Sequence, residues 1–208
     1  MLDRAIVRDL LAPFCVCLSA EAMDKLLVYL DLLLRWNQKI NLTAIESAEE
    51  CVTRHFGESF LLSKVIGLSG NLLDIGTGAG FPGLAIKLIA PDLDVILLEP
   101  VAKKRAFLKE VARACGMKRL EVVGSRLDEF ASAEEPQHFN LITIRAVGGL
   151  ELLIPKATRL LKPEGHFCLW LGRQQVGAIK GANPDVRWND PLPIPLSQDR
   201  CILTGSIL

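Results

Sequence analysis

Two acidic residues and a run of glycines carry the strongest chemical signal in this sequence. Residues 71–83 read NLLDIGTGAGFPG, in which Asp74 ends a short apolar run and Gly76, Gly78 and Gly80 follow at every second position. Glycine adopts positive φ angles in a tight turn and leaves no Cβ between the backbone and a ligand. Because helically spaced apolar residues follow, the pattern predicts a strand, a loop that binds a nucleotide-type cofactor, and a helix.

The acidic residues near the glycines help to identify the cofactor that this loop binds. Residues 78–83 match G-x-G-x-x-G, so a nicotinamide- or flavin-dependent oxidoreductase is one interpretation. Asp74 would repel a diphosphate but would attract a ligand with an ammonium and a sulfonium group, as S-adenosylmethionine has. Glu99, which ends the next predicted strand, can accept hydrogen bonds from the ribose of either cofactor. The residues favour S-adenosylmethionine, and a glycine turn needed only for packing is a further alternative.

Composition limits the class of protein. The chain has 208 residues, of which 50% are hydrophobic, and this is ample for a full core. Its formal net charge is zero, so a nucleic-acid partner must be met by a local basic patch. The six cysteines form no C-x-x-C pair and no metal-like grouping with the three histidines. We therefore expect reduced, mostly buried thiols, no metal, and a cytoplasmic location.

No membrane partner or secretion signal is predicted. Residues 10–18 are apolar, but Pro13 interrupts them and the preceding acids cancel the basic charge that a signal peptide needs. No apolar stretch reaches the ~20 residues that span a bilayer.

The spacing of apolar residues divides the chain into two parts. Residues 1–66 are predicted to be a helical cap, with one helix from Ser19 and another opened by a capping box at Ser47 and Glu50. Residues 67–208 alternate between strands and helices. After the first strand, we expect strands at 94–99, 120–123, 139–144 and 166–171, helices at 101–115 and 149–161, and two last strands from residue 187 onward. This predicts an α/β fold with a seven-stranded, mostly parallel sheet, helices on both faces and an N-terminal helical extension.

A set of short motifs, in order along the chain, resembles a known family. They are residues 36–43 (WNQKINLT), 54–56 (RHF), 74–83 (DIGTGAGFPG), 104–108 (KRAFL), 125–126 (SR) and 145–146 (RA). From about residue 20 onward the chain resembles the RsmG family of bacterial small-subunit ribosomal RNA methyltransferases, also called glucose-inhibited division protein B. The glycine motif alone indicates only a class I methyltransferase, and the W-N-x-x-x-N-L-T motif makes the resemblance specific.

The resemblance implies a Rossmann-like class I methyltransferase domain at residues 67–208, with S-adenosylmethionine as cofactor and S-adenosylhomocysteine as product. It implies methylation of N7 of a guanine in the 530 loop of 16S rRNA, with the rRNA or the 30S subunit as partner. By position, Gly76 and Phe81 would line the methionine and adenosine region, Glu99 would bind the ribose, and residues 127–128 would flank the adenine. The expected cofactor-binding residues are Asp74, Gly76, Gly78, Gly80, Phe81, Glu99, Leu127, Asp128 and Arg145.

Three positions depart from the family pattern. Glu99 stands where the family usually has aspartate, residues 144–147 read IRAV where S-R-A-F is usual, and Leu171 replaces a common lysine. The first change concerns the ribose contact, and the other two concern contacts with RNA.

Methylation of guanine N7 requires few catalytic groups. This nitrogen has a lone pair and no proton to lose, so positioning should dominate and no general base is obligatory. The residues after the fourth strand agree with this, because they lack the Asn-Pro-Pro-Tyr type of element and the Pro-Cys nucleophile that other base methyltransferases use. Arg145 follows instead and can donate to guanine O6 or to a phosphate, although a structural salt bridge is the alternative. Arg145 and Arg126 are the candidate catalytic residues.

The target guanine should be looped out, because the A-form major groove is too deep and narrow for side chains. A basic segment at residues 101–126 is interpreted as the RNA-holding patch, with a solvated helix face as the alternative, and Arg126 is its leading member. For Trp36, Asn37, Asn41 and Thr43 we favour a structural role over RNA contact.

His55 is predicted to be a hydrogen-bonded core histidine rather than a catalyst. The alternatives to rRNA methylation are a methyltransferase for another RNA or a small molecule, the oxidoreductase, and an inactive cofactor-binding module. A monomer is expected.

Overall fold

A computed structural model describes residues 2–207 of the chain. These residues form an eight-stranded sheet in the order β3-β2-β1-β4-β5-β8-β6, with β7 pairing to β8 outside this path. The strands are β1 (Asn71–Ile75), β2 (Asp94–Leu98), β3 (Leu120–Val123), β4 (Phe139–Arg145), β5 (Leu161–Gly172), β6 (Val186–Trp188), β7 (Leu192–Pro193) and β8 (Arg200–Ile207).

The strand directions confirm the predicted, mostly parallel sheet. Strands β1 to β5 pair in parallel, whereas β8 runs antiparallel to both β5 and β6. Seven strands were expected, and the additional one is β7 in the proline-rich tail, where Pro193 pairs with Cys201. A strand of two residues is too short to produce a recognisable alternation in the sequence.

Nine α-helices in the described part of the chain surround the sheet or precede it. They are α1 (Arg4–Leu11), α2 (Ala20–Asn37), α3 (Ala48–Glu50), α4 (Glu58–Phe60), α5 (Gly83–Ile89), α6 (Ala102–Ala114), α7 (Leu127–Ala133), α8 (Leu150–Thr158) and α9 (Val176–Ala182). A π-helical segment, Cys51–Gly57, joins α3 to α4. None of the helices within residues 2–207 is long and apolar enough to cross a membrane.

Both faces of the sheet are covered, which explains why its strands are apolar throughout. On one face, Leu72 and Leu97 belong to a cluster that includes Phe107 of α6 and the buried side of α2. On the other face, Leu73 and Ile142 pack with residues of α7, α8 and α9. The N-terminal helices therefore share a hydrophobic core with the sheet.

The start of each long N-terminal helix follows from its cap. Ser19 accepts a hydrogen bond from the Ala22 amide, and Ser47 accepts one from the Glu50 amide, as the sequence predicts. The Glu50 side chain pairs with Arg54 rather than returning to the cap. The widened π-helical turn that follows was not predicted.

Several element boundaries also differ from the prediction. Helices α7 and α9 were missed because each has only seven residues, with few buried positions to form a stripe. Strand β5 begins at Leu161 rather than at residue 166, so residues 162–165 (KPEG) continue the strand instead of ending the helix before it. Its pairing with β4 shifts register between Phe139 and Leu141, which accommodates this irregular start.

Candidate functional site

The glycine loop leaves the carboxyl end of β1 at the centre of the sheet. Gly76, Gly78 and Gly80 have φ angles of +68°, +59° and +94°. A Cβ added to Gly76 would lie 2.7 Å from Cγ2 of Val147, in the loop that follows β4. Both the backbone conformation and this close approach therefore exclude larger residues at position 76.

The Asp74 side chain is hydrogen-bonded to the C-terminal end of the loop, at Gly83. Its side chain is buried and accepts hydrogen bonds from the Gly83 amide at 2.9 Å and from Thr143 Oγ1 at 2.8 Å. Burial raises the pKa of Asp74, while these hydrogen bonds act in the opposite direction. The sequence predicted that this carboxylate lies beside the ligand, but in the structure its two oxygens accept hydrogen bonds from Gly83 and Thr143.

Glu99 connects the loop to the end of β2. One carboxylate oxygen accepts from the Gly78 amide at 3.0 Å and the other from the Val101 amide at 2.9 Å. Only 4% of the residue is exposed. Each oxygen keeps a second lone pair, so the carboxylate retains capacity to accept further hydrogen bonds.

Two cavities meet at Gly76. The first, which we call the Arg145 cavity, has a volume of about 290 Å³ and a lining that is polar and apolar in equal parts and includes two cationic side chains. The second, which we call the Leu127 cavity, has a volume of about 270 Å³ and is mostly apolar. The Arg145 cavity is lined by Leu42, Thr43, His55, Gly76, Thr77, Gly78, Ala79, Phe81, Lys104, Arg145 and Ala146. The Leu127 cavity is lined by Ile75, Gly76, Leu98, Pro100, Ser125, Arg126, Leu127, Asp128, Val147, Gly148 and Leu153.

Both cavities lie at the carboxyl ends of the central strands, where ligands bind in sheets of this kind. A larger cavity of about 600 Å³ lies instead at the segments that precede β1 and β2, lined among others by Leu68 and Asp92. It is therefore on the opposite edge of the sheet from the glycine loop.

Most of the predicted site residues come together here. Gly76, Gly78, Phe81 and Arg145 line the first cavity, and Arg126, Leu127 and Asp128 line the second together with Gly76. Asp74, Gly80 and Glu99 line neither cavity, and the Asp74 and Glu99 carboxylates accept hydrogen bonds from the Gly83 and Gly78 amides. Sequence reasoning did not assign Thr77, Ser125 or Val147 to the site, although each lies within two positions of a residue that it did assign.

Arg145, the last residue of β4, is held by the helical cap. Its Nη2 donates to the Arg54 carbonyl at 2.7 Å and lies 3.1 Å from Glu58 Oε2. The other oxygen of Glu58 lies 2.7 Å from Nη2 of Arg200, at the start of β8. Glu58 and Arg200 were not predicted, because neither stands in a recognisable motif.

His55 lines the Arg145 cavity as well as packing in the cap. Its Nε2 lies 2.9 Å from Thr43 Oγ1, and its ring stacks on Phe81 with centroids 4.5 Å apart. Burial, Arg145 and Arg54 lower the pKa of His55 to about 3, so the ring is neutral at pH 7. The predicted hydrogen-bonded, partly buried histidine is confirmed, and its place on the cavity wall is an additional finding.

The W-N-x-x-x-N-L-T motif shapes the segment beside this cavity. Asn37 Oδ1 accepts hydrogen bonds from the Leu42 and Thr43 amides at 2.9 and 3.0 Å. Trp36 packs against Phe107, with ring centroids 5.7 Å apart. These contacts confirm the structural role for Asn37 and Trp36, whereas Asn41 is exposed.

The basic segment at residues 101–126 does not form a single patch. Lys104 and Arg126 lie at the two cavities. Arg119 precedes β3 and pairs with Asp94 at the start of β2, with Nε 2.7 Å from Oδ1. Those positions are at the amino ends of the strands, so Arg119 lies away from the two cavities, and a role of the rest of the segment in holding RNA stays a prediction.

A search of residues 2–207 finds no group of three or more His, Cys, Asp or Glu residues arranged to hold a metal ion.

Comparison with known proteins gives one family. The model of GidB, described as rRNA small subunit methyltransferase G, matches residues 22–189. Ribosomal RNA small subunit methyltransferase G of Desulfitobacterium hafniense (strain Y51) is 39% identical over 161 residues, which cover 76% of this chain and 66%, just under two thirds, of the relative. The protein of that name from Syntrophotalea carbinolica is 32% identical over 200 residues, which cover 96% and 92%.

Solved structures with this fold are more distant in sequence. A SAM-dependent methyltransferase from Aquifex aeolicus superposes with a TM-score of 0.62 at 15% identity, covering 76% of this chain and 93% of that one. The ribosomal protein L11 methylase from Lactobacillus delbrueckii subsp. bulgaricus gives 0.62 at 18% identity, covering 74% and 78%. These similarities concern the fold and confirm that it is Rossmann-like.

Proposed function

Since this chain belongs to the GidB family, rRNA small subunit methyltransferase G, we propose that it methylates N7 of a guanine in the 530 loop of 16S rRNA. S-adenosylmethionine is the proposed methyl donor. The observation that carries the proposal is the pair of cavities that meet at Gly76, one mostly apolar and one lined by cationic and neutral polar side chains.

The residues present fit this cofactor. Gly76 offers backbone without a side chain where the two cavities join. The buried Ser125 Oγ, beside the Leu127 cavity, finds no hydrogen-bond partner among residues 2–207 and would be satisfied by a ligand. We assign the adenine to Leu127 and Asp128, the ribose hydroxyls to Glu99, and the methionine portion to the Arg145 cavity.

The charge of the Arg145 cavity favours a nucleophile that has no proton to shed. When bound, S-adenosylmethionine supplies a methyl group on a positively charged sulfur. Of the described residues that line this cavity, none is a carboxylate, and His55 has a pKa of about 3 and is a weak base. A general base is therefore not at hand, and guanine N7 does not require one.

Arg145 is the proposed catalytic residue that positions the guanine. Its guanidinium carries five N–H donors, and Glu58 and the Arg54 carbonyl engage only Nη2. The remaining donors can reach guanine O6, beside the reacting N7. Arg126, at the other cavity, is the second candidate.

The family match favours a methyltransferase over a dinucleotide-dependent oxidoreductase. A methyltransferase for another RNA or a small molecule is the remaining alternative. An rRNA substrate implies a cytoplasmic location, and we expect the enzyme to act as a monomer.

Transfer of labelled methyl groups tests the function. The protein is incubated with labelled S-adenosylmethionine and with 30S subunits, naked 16S rRNA or a protein mixture, and the modified base is mapped. We expect label at N7 of one guanine in the 530 loop, and loss of transfer in Arg145→Ala with the fold intact by circular dichroism. Label on protein, on another base or only on a small molecule would overturn the proposal.

A further inference from the structure

Two arginines from separate parts of the chain share one buried carboxylate, and the backbone of a third arginine contacts one of them. Glu58 is 1% exposed, and its two oxygens receive Arg145 Nη2 at 3.1 Å and Arg200 Nη2 at 2.7 Å. Arg54, one turn before Glu58, accepts a hydrogen bond from Arg145 through its carbonyl. Residues of the π-helical segment, β4 and β8 therefore meet at Glu58 and at the Arg54 carbonyl.

This cluster has more donors than the protein satisfies. Arg54 Nε, Arg145 Nη1 and Arg200 Nε are buried and have no hydrogen-bond partner anywhere in residues 2–207. Buried polar groups are normally paired, so three such donors in one cluster indicate a missing acceptor.

The charges of the cluster are also unbalanced. Arg145 and Arg200 share the single carboxylate of Glu58, while the Arg54 guanidinium pairs with Glu50, so three arginines have only two carboxylates between them. Burial lowers the pKa of Arg145, Glu58 opposes this, and Arg200 and Arg54 lower the pKa further. An added anion would relieve this repulsion in a site of low dielectric.

The cluster is open to a ligand from outside the cofactor cavity. Arg145 lines that cavity, whereas Arg54 and Arg200 do not. The Arg54 and Arg200 side chains are 42% and 35% exposed, compared with 14% for Arg145. An anion bound here would lie beside the cavity where the target base is proposed to enter.

We propose that Arg54, Arg145 and Arg200 form a phosphate-binding site, which holds a backbone phosphate of the substrate RNA next to the target base. This inference rests on the function proposed above. Guanidinium groups match phosphate oxygens in pairs, so a cluster of three fits a phosphodiester well. The carboxylate of the cofactor has the same chemistry, but it would lie inside the cavity and would not need Arg200.

Single neutral phosphates in the RNA provide the test. In a series of RNA fragments of the 530 loop, one phosphate near the target guanine is replaced by an uncharged methylphosphonate, and affinity is measured for the wild type and for Arg200→Gln. Arg145 keeps Glu58 paired in this variant. Arg187→Gln, on the exposed face of β6, is the control for loss of one surface charge.

We expect one methylphosphonate position to weaken wild-type binding roughly 10-fold, in line with the loss of a charged hydrogen bond. The same substitution should cost Arg200→Gln about 3-fold or less, because the two changes remove one interaction. Arg200→Gln should also reduce the slope of log affinity against log salt by ~0.7, whereas Arg187→Gln should respond to each methylphosphonate as the wild type does. Arg54→Gln, whose side chain is more exposed, repeats the test if Arg200→Gln does not fold.

The inference is overturned if no position weakens wild-type binding, or if Arg200→Gln and Arg54→Gln respond to every methylphosphonate as the wild type does. Calorimetry with S-adenosylhomocysteine separates the two anions: unchanged affinity in Arg200→Gln supports the RNA phosphate, and reduced affinity assigns the site to the cofactor carboxylate and overturns the inference. Failure of the wild type to methylate rRNA would instead contradict the proposed function.

Discussion

Glu58 Oε2 lies 3.1 Å from Arg145 Nη2, and this ion pair fastens the end of a central strand to the N-terminal helices. The Glu58 carbonyl also accepts a hydrogen bond from Trp170 Nε1 of β5 at 2.9 Å. One residue of α4 therefore holds two neighbouring strands at the edge of the sheet where the cavities open.

The Glu58 ion pairs should matter for stability. Glu58→Ala leaves Arg145 and Arg200 without their shared counter-charge, and breaking a buried pair in this way costs about 3–5 kcal/mol. We expect urea denaturation at pH 7 to show a loss of that size in the free energy of unfolding. Glu50→Ala breaks the exposed pair with Arg54 and should cost less than about 1 kcal/mol. Equal losses in the two variants would contradict the central role of Glu58.

Gly76→Ala should weaken cofactor binding. The new methyl group would lie 2.7 Å from Val147 Cγ2, at a φ of +68° that costs a non-glycine residue roughly 1–2 kcal/mol. We expect calorimetry to show at least a ~10-fold loss of S-adenosylhomocysteine affinity, which corresponds to about 1.4 kcal/mol. Gly67→Ala has open space around its Cβ and is the matched control. Adding Val147→Ala should restore part of the loss, and no recovery would argue against the contact with Val147.

His55 should make stability depend on pH in a defined window. Its folded pKa of about 3 lies below the unfolded value near 6.5, so between these values the unfolded state binds more protons. Stability from His55 is complete above pH 6.5 and falls as the pH drops, by up to ~1.4 kcal/mol per pH unit. Urea titrations from pH 7 to pH 4.5 should show a shallower slope for His55→Gln than for the wild type. Parallel slopes would show that folding does not lower the pKa of His55.

Only two cysteines should react in the folded protein. Cys15 and Cys17 are exposed, whereas Cys51, Cys115, Cys168 and Cys201 are buried. Burial raises the pKa of Cys51 and of Cys115 to about 11, so little thiolate is present at pH 7. We expect mass spectrometry to find two maleimide adducts under native conditions and six in urea. The Cys15→Ser/Cys17→Ser variant should remain unlabelled, and labelling of a buried thiol would indicate local opening.

The part of the site that lies in one continuous segment was predictable from sequence. The glycine loop follows an apolar strand directly, and Arg145 is the last residue of β4, so the rule that ligands bind at the carboxyl ends of strands located both. Leu127 and Asp128 were assigned through the family resemblance and Arg126 as a member of the basic segment, and all three line the Leu127 cavity.

The remainder depends on contacts between distant segments. Glu58 is 87 residues from Arg145 and 142 residues from Arg200 in the sequence, and no local pattern shows that they meet. The position of Asp74 at a strand end was correct, but the burial of its carboxylate beneath the loop depends on Thr143 of a neighbouring strand. Arg119 and Arg126 are close in sequence, yet β3 lies between them, so Arg119 is at the amino ends of the strands and Arg126 is at the carboxyl ends.

Strand β8 occupies the slot between β5 and β6, although it follows both in the chain. Until it is inserted, the apolar residues 167–171 of β5 form an open edge whose backbone N–H and C=O groups have no partner on that side. Such an edge is a template for pairing with other chains. A fragment that stops before Arg200 should therefore self-associate, and pairing of β8 with β5 protects the folded molecule from aggregation.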